Sequence, residues 1–148
     1  MHLRLLAASL ALIATYGALA DELVPFSTER AWQIQRIGSP AITPDGATIV
    51  APVTRYDLKD NKSLTDLWLW SADGKFERAL TTNPANDSSP VISPDGKSLA
   101  SGSQDGTVKL WDPAAGSELR VLKVVSAVAH SVAFRPDGKA LALGCSDG

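Results

Sequence analysis

One short phrase occurs three times in this chain: a hydrophobic strand, then Pro-Asp-Gly, then a second hydrophobic strand. The turns are Pro44-Asp45-Gly46, Pro94-Asp95-Gly96 and Pro136-Asp137-Gly138, with prolines 50 and then 42 residues apart. Proline presets φ, aspartate bonds back to the backbone, and glycine accepts the left-handed conformation, so each triplet predicts a tight turn between strands. Recurrence every 40–50 residues or so predicts four-stranded sheets stacked one after another about an axis.

The fold class expected is therefore all-β: an incomplete β-propeller of about two and a half four-stranded antiparallel blades, preceded by a signal peptide and a short helix. Blade one is expected at 39–88, with strands near 40–42, 48–53, 66–70 and 76–80 and a polar insertion at 55–65. Blade two, 89–130, has strands near 90–92, 97–103, 107–111 and 118–123. Residues 131–148 supply the first half of blade three. The alternation of Val108 and Leu110 with polar residues marks a half-buried strand. A ring of four or more such blades needs roughly 160 residues, so the expectation is a fragment, a truncated gene or an open array that needs a partner.

The N-terminus reads as an export signal. Arg4 is followed by an apolar run from Leu5 to Ala14, and Ala18-Leu19-Ala20 is a cleavage site of the A-x-A kind. The run is short for a bilayer span, which takes about 20 apolar residues. The expected product is periplasmic or secreted, cleaved after Ala20 and free of the membrane. Residues 21–38 form a lead-in: Ser27 or Thr28 caps a helix to about Arg36, with Trp32 and Ile37 facing inward. The whole chain has 14 Lys and Arg against 16 Asp and Glu. Loss of Arg4 leaves a net charge of about −3 and no basic stripe, which argues against nucleic acid as a partner. Cys145 is the single cysteine, so no internal disulfide can form, and it is expected as a half-buried strand residue.

Two resemblances add to this reading. Residues 97–112, ending in Trp111-Asp112, look like a WD repeat, and residues 131–148 resemble the first half of the next one. The resemblance implies a propeller that binds or scaffolds, with an internal network to which Ser101, Asp105 and Trp111 belong. The family's histidine would fall near Asn83 or Val125, and neither matches. Residues 22–100, with Asp66-Leu-Trp-Leu-Trp70 and Ser89–Gly96, are similar to exported prolyl-oligopeptidase-family enzymes of the acylaminoacyl- and dipeptidyl-peptidase types, whose N-terminal propeller covers a serine hydrolase domain. The same blades resemble TolB-type periplasmic propellers.

No residue is expected to be catalytic, and no metal or cofactor is expected. Gly144-Cys145-Ser146-Asp147-Gly148 fits G-x-S-x-G, but Gly144 aligns with Gly102 in a blade hairpin, and no histidine lies nearby in the sequence. His130 reads as a surface residue or one where a strand begins. Asp57, Asp60 and Asn61 lack the every-other-residue spacing of a calcium loop and read as a solvated turn. Trp68 and Trp70, two apart, share a strand face, and packing between blades accounts for at least one. The expected function is an exported, non-catalytic binding or scaffold module that meets a protein, a peptide or further blades in cis or trans. The alternative is the substrate-gating propeller of a prolyl-oligopeptidase-type serine peptidase.

Overall fold

A computed structural model describes residues 27–124 and 127–147; the expected signal peptide lies outside them. The chain divides into two compact units after Ala31, and the sheets all belong to the second unit. Helix α1 (Thr28–Gln33) begins with the Ser27 hydroxyl accepting the Arg30 amide at 3.3 Å. It stops short of Arg36, because β1 (Arg36–Ile37) is paired with a strand instead.

Three antiparallel sheets make up the described residues of the second unit. Sheet one joins β1, β2 (Ala41–Ile42), β3 (Thr48–Asp57), β4 (Lys62–Ser71) and β5 (Glu77–Ala79). Sheet two runs in order through β6 (Asp87–Ile92), β7 (Leu99–Ser103), β8 (Thr107–Asp112) and β9 (Ser117–Lys123). Sheet three pairs β10 (Ala127–Phe134) with β11 (Leu141–Asp147). Two blade-like sheets and the start of a third are the expected all-β, partial-propeller fold.

Segment 55–65 is not a loop. It carries β3 and β4 outward as one continuous ladder, from Thr48↔Ser71 to Asp57↔Lys62, and only the tip turns. Asn61 takes φ 48° there, a conformation asparagine tolerates better than most residues. The expected polar insertion between strands is thus part of the strands themselves. Cross-strand pairs such as Thr54 and Thr65, whose hydroxyls meet at 2.9 Å, satisfy this segment as strands instead.

Pro52 sits inside β3, where a missing N–H would normally break a ladder. It falls between the residues paired with β2 and those paired with β1, and its carbonyl takes the Gly38 amide at 2.8 Å. A Cβ on Gly38 would lie 2.7 Å from the proline ring, so the chain passes Pro52 closely only as glycine.

Two hydrophobic clusters join the sheets. Val50, Leu67 and Leu69 from sheet one meet Leu99 and Trp111 from sheet two. On the other face of sheet two, Ala100 and Val108 meet Ala129 and Val132 from sheet three. Leu67, Leu69 and Leu99 are fully buried, each stabilising the stack by roughly 1.5–3 kcal/mol. Trp32 and Ile37, expected to face inward, are 49% and 68% exposed. Cys145 is also exposed rather than half-buried.

Candidate functional site

The three Pro-Asp-Gly turns are built alike. Asp45 accepts the Ala47 amide at 3.0 Å, Asp95 the Lys97 amide at 3.1 Å, and Asp137 the Lys139 amide at 3.0 Å. Gly46, Gly96 and Gly138 all have φ between 72° and 74°. These bonds hold the carboxyls below the ordinary aspartate range. The leading cause is the Thr43 hydroxyl for Asp45, the Ser93 hydroxyl for Asp95 and Arg135 for Asp137. Asp73 is lowered chiefly by Lys75. At Asp105 burial pushes upward, but bonds from Thr107 and Ser103 outweigh it.

A pH dependence follows. A carboxyl depressed by folding stabilises the native state above its unfolded pKa, about 3.9, and that contribution disappears as pH falls through the lower, folded value. The urea midpoint is therefore expected to fall below pH ~4. In a variant carrying Asp45→Asn, Asp95→Asn and Asp137→Asn, that acid limb should be shallower. An unchanged limb would remove the turns as its cause.

The WD-like residues do not act as one group. Trp111 Nε1 donates to Ser101 Oγ at 3.0 Å in the buried seam between sheets one and two. Asp105 turns away, accepting the Thr107 amide at 2.9 Å and hydroxyl at 2.6 Å in its own hairpin. Asn83, where the family's histidine would stand, donates to the buried Asp87 at 2.7 Å. A second buried carboxylate, Asp66, pairs with Arg55 and takes the Thr81 hydroxyl at 3.5 Å. The sequence marks it only as the start of Asp66-Leu-Trp-Leu-Trp70, because the partners of the carboxylate come from β3 and from the segment after β5.

The G-x-S-x-G serine does meet a histidine. His130 Nε2 and Ser146 Oγ are 2.8 Å apart across sheet three, at a solvent-exposed position. The 16-residue separation concealed this contact, and the β10–β11 register creates it. Ser146 nevertheless lies within a strand, opposite Val128 in the ladder, rather than on the sharp strand-to-helix turn of a hydrolase elbow. No acidic side chain is bonded to the His130 ring among the described residues. The His130 carbonyl takes the Ser89 hydroxyl at 2.7 Å, and Ser89 holds φ 54°.

Asp57, Asp60 and Asn61 lie at the tip of the long hairpin. Asp57 Oδ1 accepts the Lys59 and Asp60 amides at 2.9 and 3.3 Å, as a turn does. Beside it lies an open cleft of about 250 Å³ lined by Trp32, Tyr56 and Lys62. Trp32 meets Tyr56 edge-on at 5.8 Å, and the Arg36 guanidinium lies 5.3 Å from the Tyr56 ring centre. Trp68 and Trp70 stack 6.2 Å apart on one strand face, and Trp70 donates to Glu77 at 3.2 Å. That face is turned away from sheet two, which Leu67 and Leu69 contact.

Comparison with known proteins agrees with both resemblances. Residues 82–112 match the family model described as WD domain, G-beta repeat. Dipeptidyl-peptidase 5 of Porphyromonas gingivalis is 33% identical over 73 residues, covering 49% of this chain and 11% of that protein. Dipeptidyl-peptidase 5 of Porphyromonas endodontalis is 35% identical over 65 residues, covering 44% of this chain and 9% of that protein. The chain thus spans about a tenth of the length of these relatives. Acylaminoacyl peptidase of Pyrococcus horikoshii superposes on 80% of this chain with a TM-score of 0.63, using 18% of its own chain. At 18% sequence identity the likeness is one of fold.

Proposed function

We propose that this chain is an exported, non-catalytic propeller segment that works by binding and assembly. The observation that carries the reading is the repeated stacking. One sheet seats on the next through equivalent residues, and the loops are left to vary at the ends of the strands. The serine–histidine contact supports the same reading, since its serine is held within a ladder and the pair is open to water.

The test is hydrolysis of chromogenic dipeptide anilides by the purified chain. Turnover is expected to stay at the buffer rate, and Ser146→Ala and His130→Ala should leave it there. Turnover that either substitution abolishes would contradict the proposal.

A second reading is favoured by the stretches similar to dipeptidyl-peptidase 5: the chain is the gating propeller of a serine peptidase, admitting oligopeptides to a hydrolase domain. The gene beyond codon 148 separates the two. A hydrolase elbow followed by Asp and His supports gating, and further Trp-Asp repeats support the binding module.

A further inference from the structure

Sheet two has a neighbour on each face: sheet one meets Leu99 and Trp111, and sheet three meets Ala100 and Val108. At its outer edge, β9 lies beside β8 alone among the described strands. Sheet one closes with β5, an edge of three residues, whereas β9 runs for seven. A very short edge strand discourages pairing, and a longer one is a template for another strand.

One hydrogen bond fixes which groups that edge offers. The Val124 amide donates to the Gly106 carbonyl at 2.8 Å, just past the Thr107↔Lys123 pair. In an antiparallel ladder, successive residues turn their N–H and C=O alternately toward the partner strand and away from it. Leu122 and Arg120 therefore bond β8, and the N–H and C=O of Val121 and Lys123 point outward. The Val121 side chain is 40% exposed. Leu119, left without a counterpart by the bulge between Glu118 and Arg120, is 57% exposed.

Charge selects what can pair there. Arg120 and Lys123 lie on the strand, Lys109 stands opposite Val121, and Arg78 donates to the Ala115 carbonyl in the turn before β9. The acids are Glu118 and Asp112, and the Asp112 carboxylate already accepts the Ala114 and Ala115 amides. Arg120, Lys123 and Glu118 form no ion pair among the described residues. A second β9 would set this positive excess against itself, whereas a strand bearing carboxylates meets it with the opposite sign.

We propose that β9 takes an acidic, extended peptide as an added strand. Main-chain bonds to Val121 and Lys123 hold it, its apolar side chains cover Val121, and its carboxylates face the basic residues. The proposal rests on the binding reading above and gives it a class of partner.

The test follows amide hydrogen exchange by NMR in the full, isotope-labelled chain as a capped peptide alternating valine with glutamate is added. Exchange should slow at Val121 and Lys123 and stay unchanged at Leu122, which already bonds β8. The same peptide N-methylated at alternate residues, or with lysine in place of glutamate, should bind roughly tenfold more weakly. Val121→Pro removes an outward N–H and leaves the β8 bonds in place, and should weaken binding by a similar factor. Arg120→Glu leaves the backbone as it is and should abolish the preference for glutamate over lysine. Circular dichroism checks that both variants fold. No protection at about 1 mM peptide overturns the proposal, as does equal binding of the N-methylated peptide. Protection of the same amides by the chain alone, as its concentration rises, would assign the edge to a second copy and overturn it too. Each of these outcomes leaves the dipeptide anilide result as it stands, whereas hydrolysis abolished by Ser146→Ala would sink the binding reading itself.

Discussion

Trp111→Ala is expected to lower the unfolding free energy by about 3–5 kcal/mol, the range for deleting a large buried aromatic. The indole fills the seam between sheets one and two among Val50, Leu67, Leu69 and Leu99, and its N–H meets Ser101. The cost has two parts that substitutions can separate. Ser101→Ala leaves the indole N–H buried without its partner, a loss of roughly 1–3 kcal/mol. Trp111→Phe keeps much of the apolar volume but removes the donor, and should fall between the two. Chemical denaturation of the three variants measures the order Trp111→Ala, Trp111→Phe, Ser101→Ala. If Trp111→Ala cost less than 1 kcal/mol, roughly the scale of a surface change, the seam could not be what joins the sheets.

Arg55→Met is expected to destabilise nearly as much, by about 3 kcal/mol, the lower end of the range for breaking a buried pair. Asp66 is fully buried, while its partner's side chain is 45% exposed, so water screens part of the attraction and the lower end applies. Without the guanidinium, the carboxylate keeps the Thr81 hydroxyl and little else. Asp66→Leu removes the buried charge together with its need for a partner. The double variant Arg55→Met with Asp66→Leu should therefore recover most of the loss. Equal stability of the single and double variants would show that the pair is not coupled. Because Arg55 and Asp66 sit on diagonal positions of the β3–β4 ladder, the same substitutions report on the long hairpin carrying the Trp32–Tyr56 cleft.

Local chemistry made the turns readable. Pro-Asp-Gly constrains φ and supplies its own hydrogen bond within three residues, so each turn could be located before any partner was known. The alternation of Val108 and Leu110 likewise carried the strand and its buried face. The helix end, the exposure of Trp32 and Ile37 and the extended hairpin were misjudged for one reason. Each depends on which distant strand accepts the backbone, and neither polarity nor capping encodes that.

The sites divide along the same line. Ser101 and Trp111 were legible because they sit at fixed places in a repeat, and the ladder brings them together. Asp105 stayed with its hairpin, since an aspartate two residues before an amide finds that amide first. The His130–Ser146 contact and the buried Asp66 came only from strand register, a long-range choice set by burial on each face. What the sequence determined by itself was the repeat, its turns and the strand period, all fixed by interactions a few residues long. Tertiary structure alone decided which face of each sheet is covered, because covering a face takes residues from another sheet.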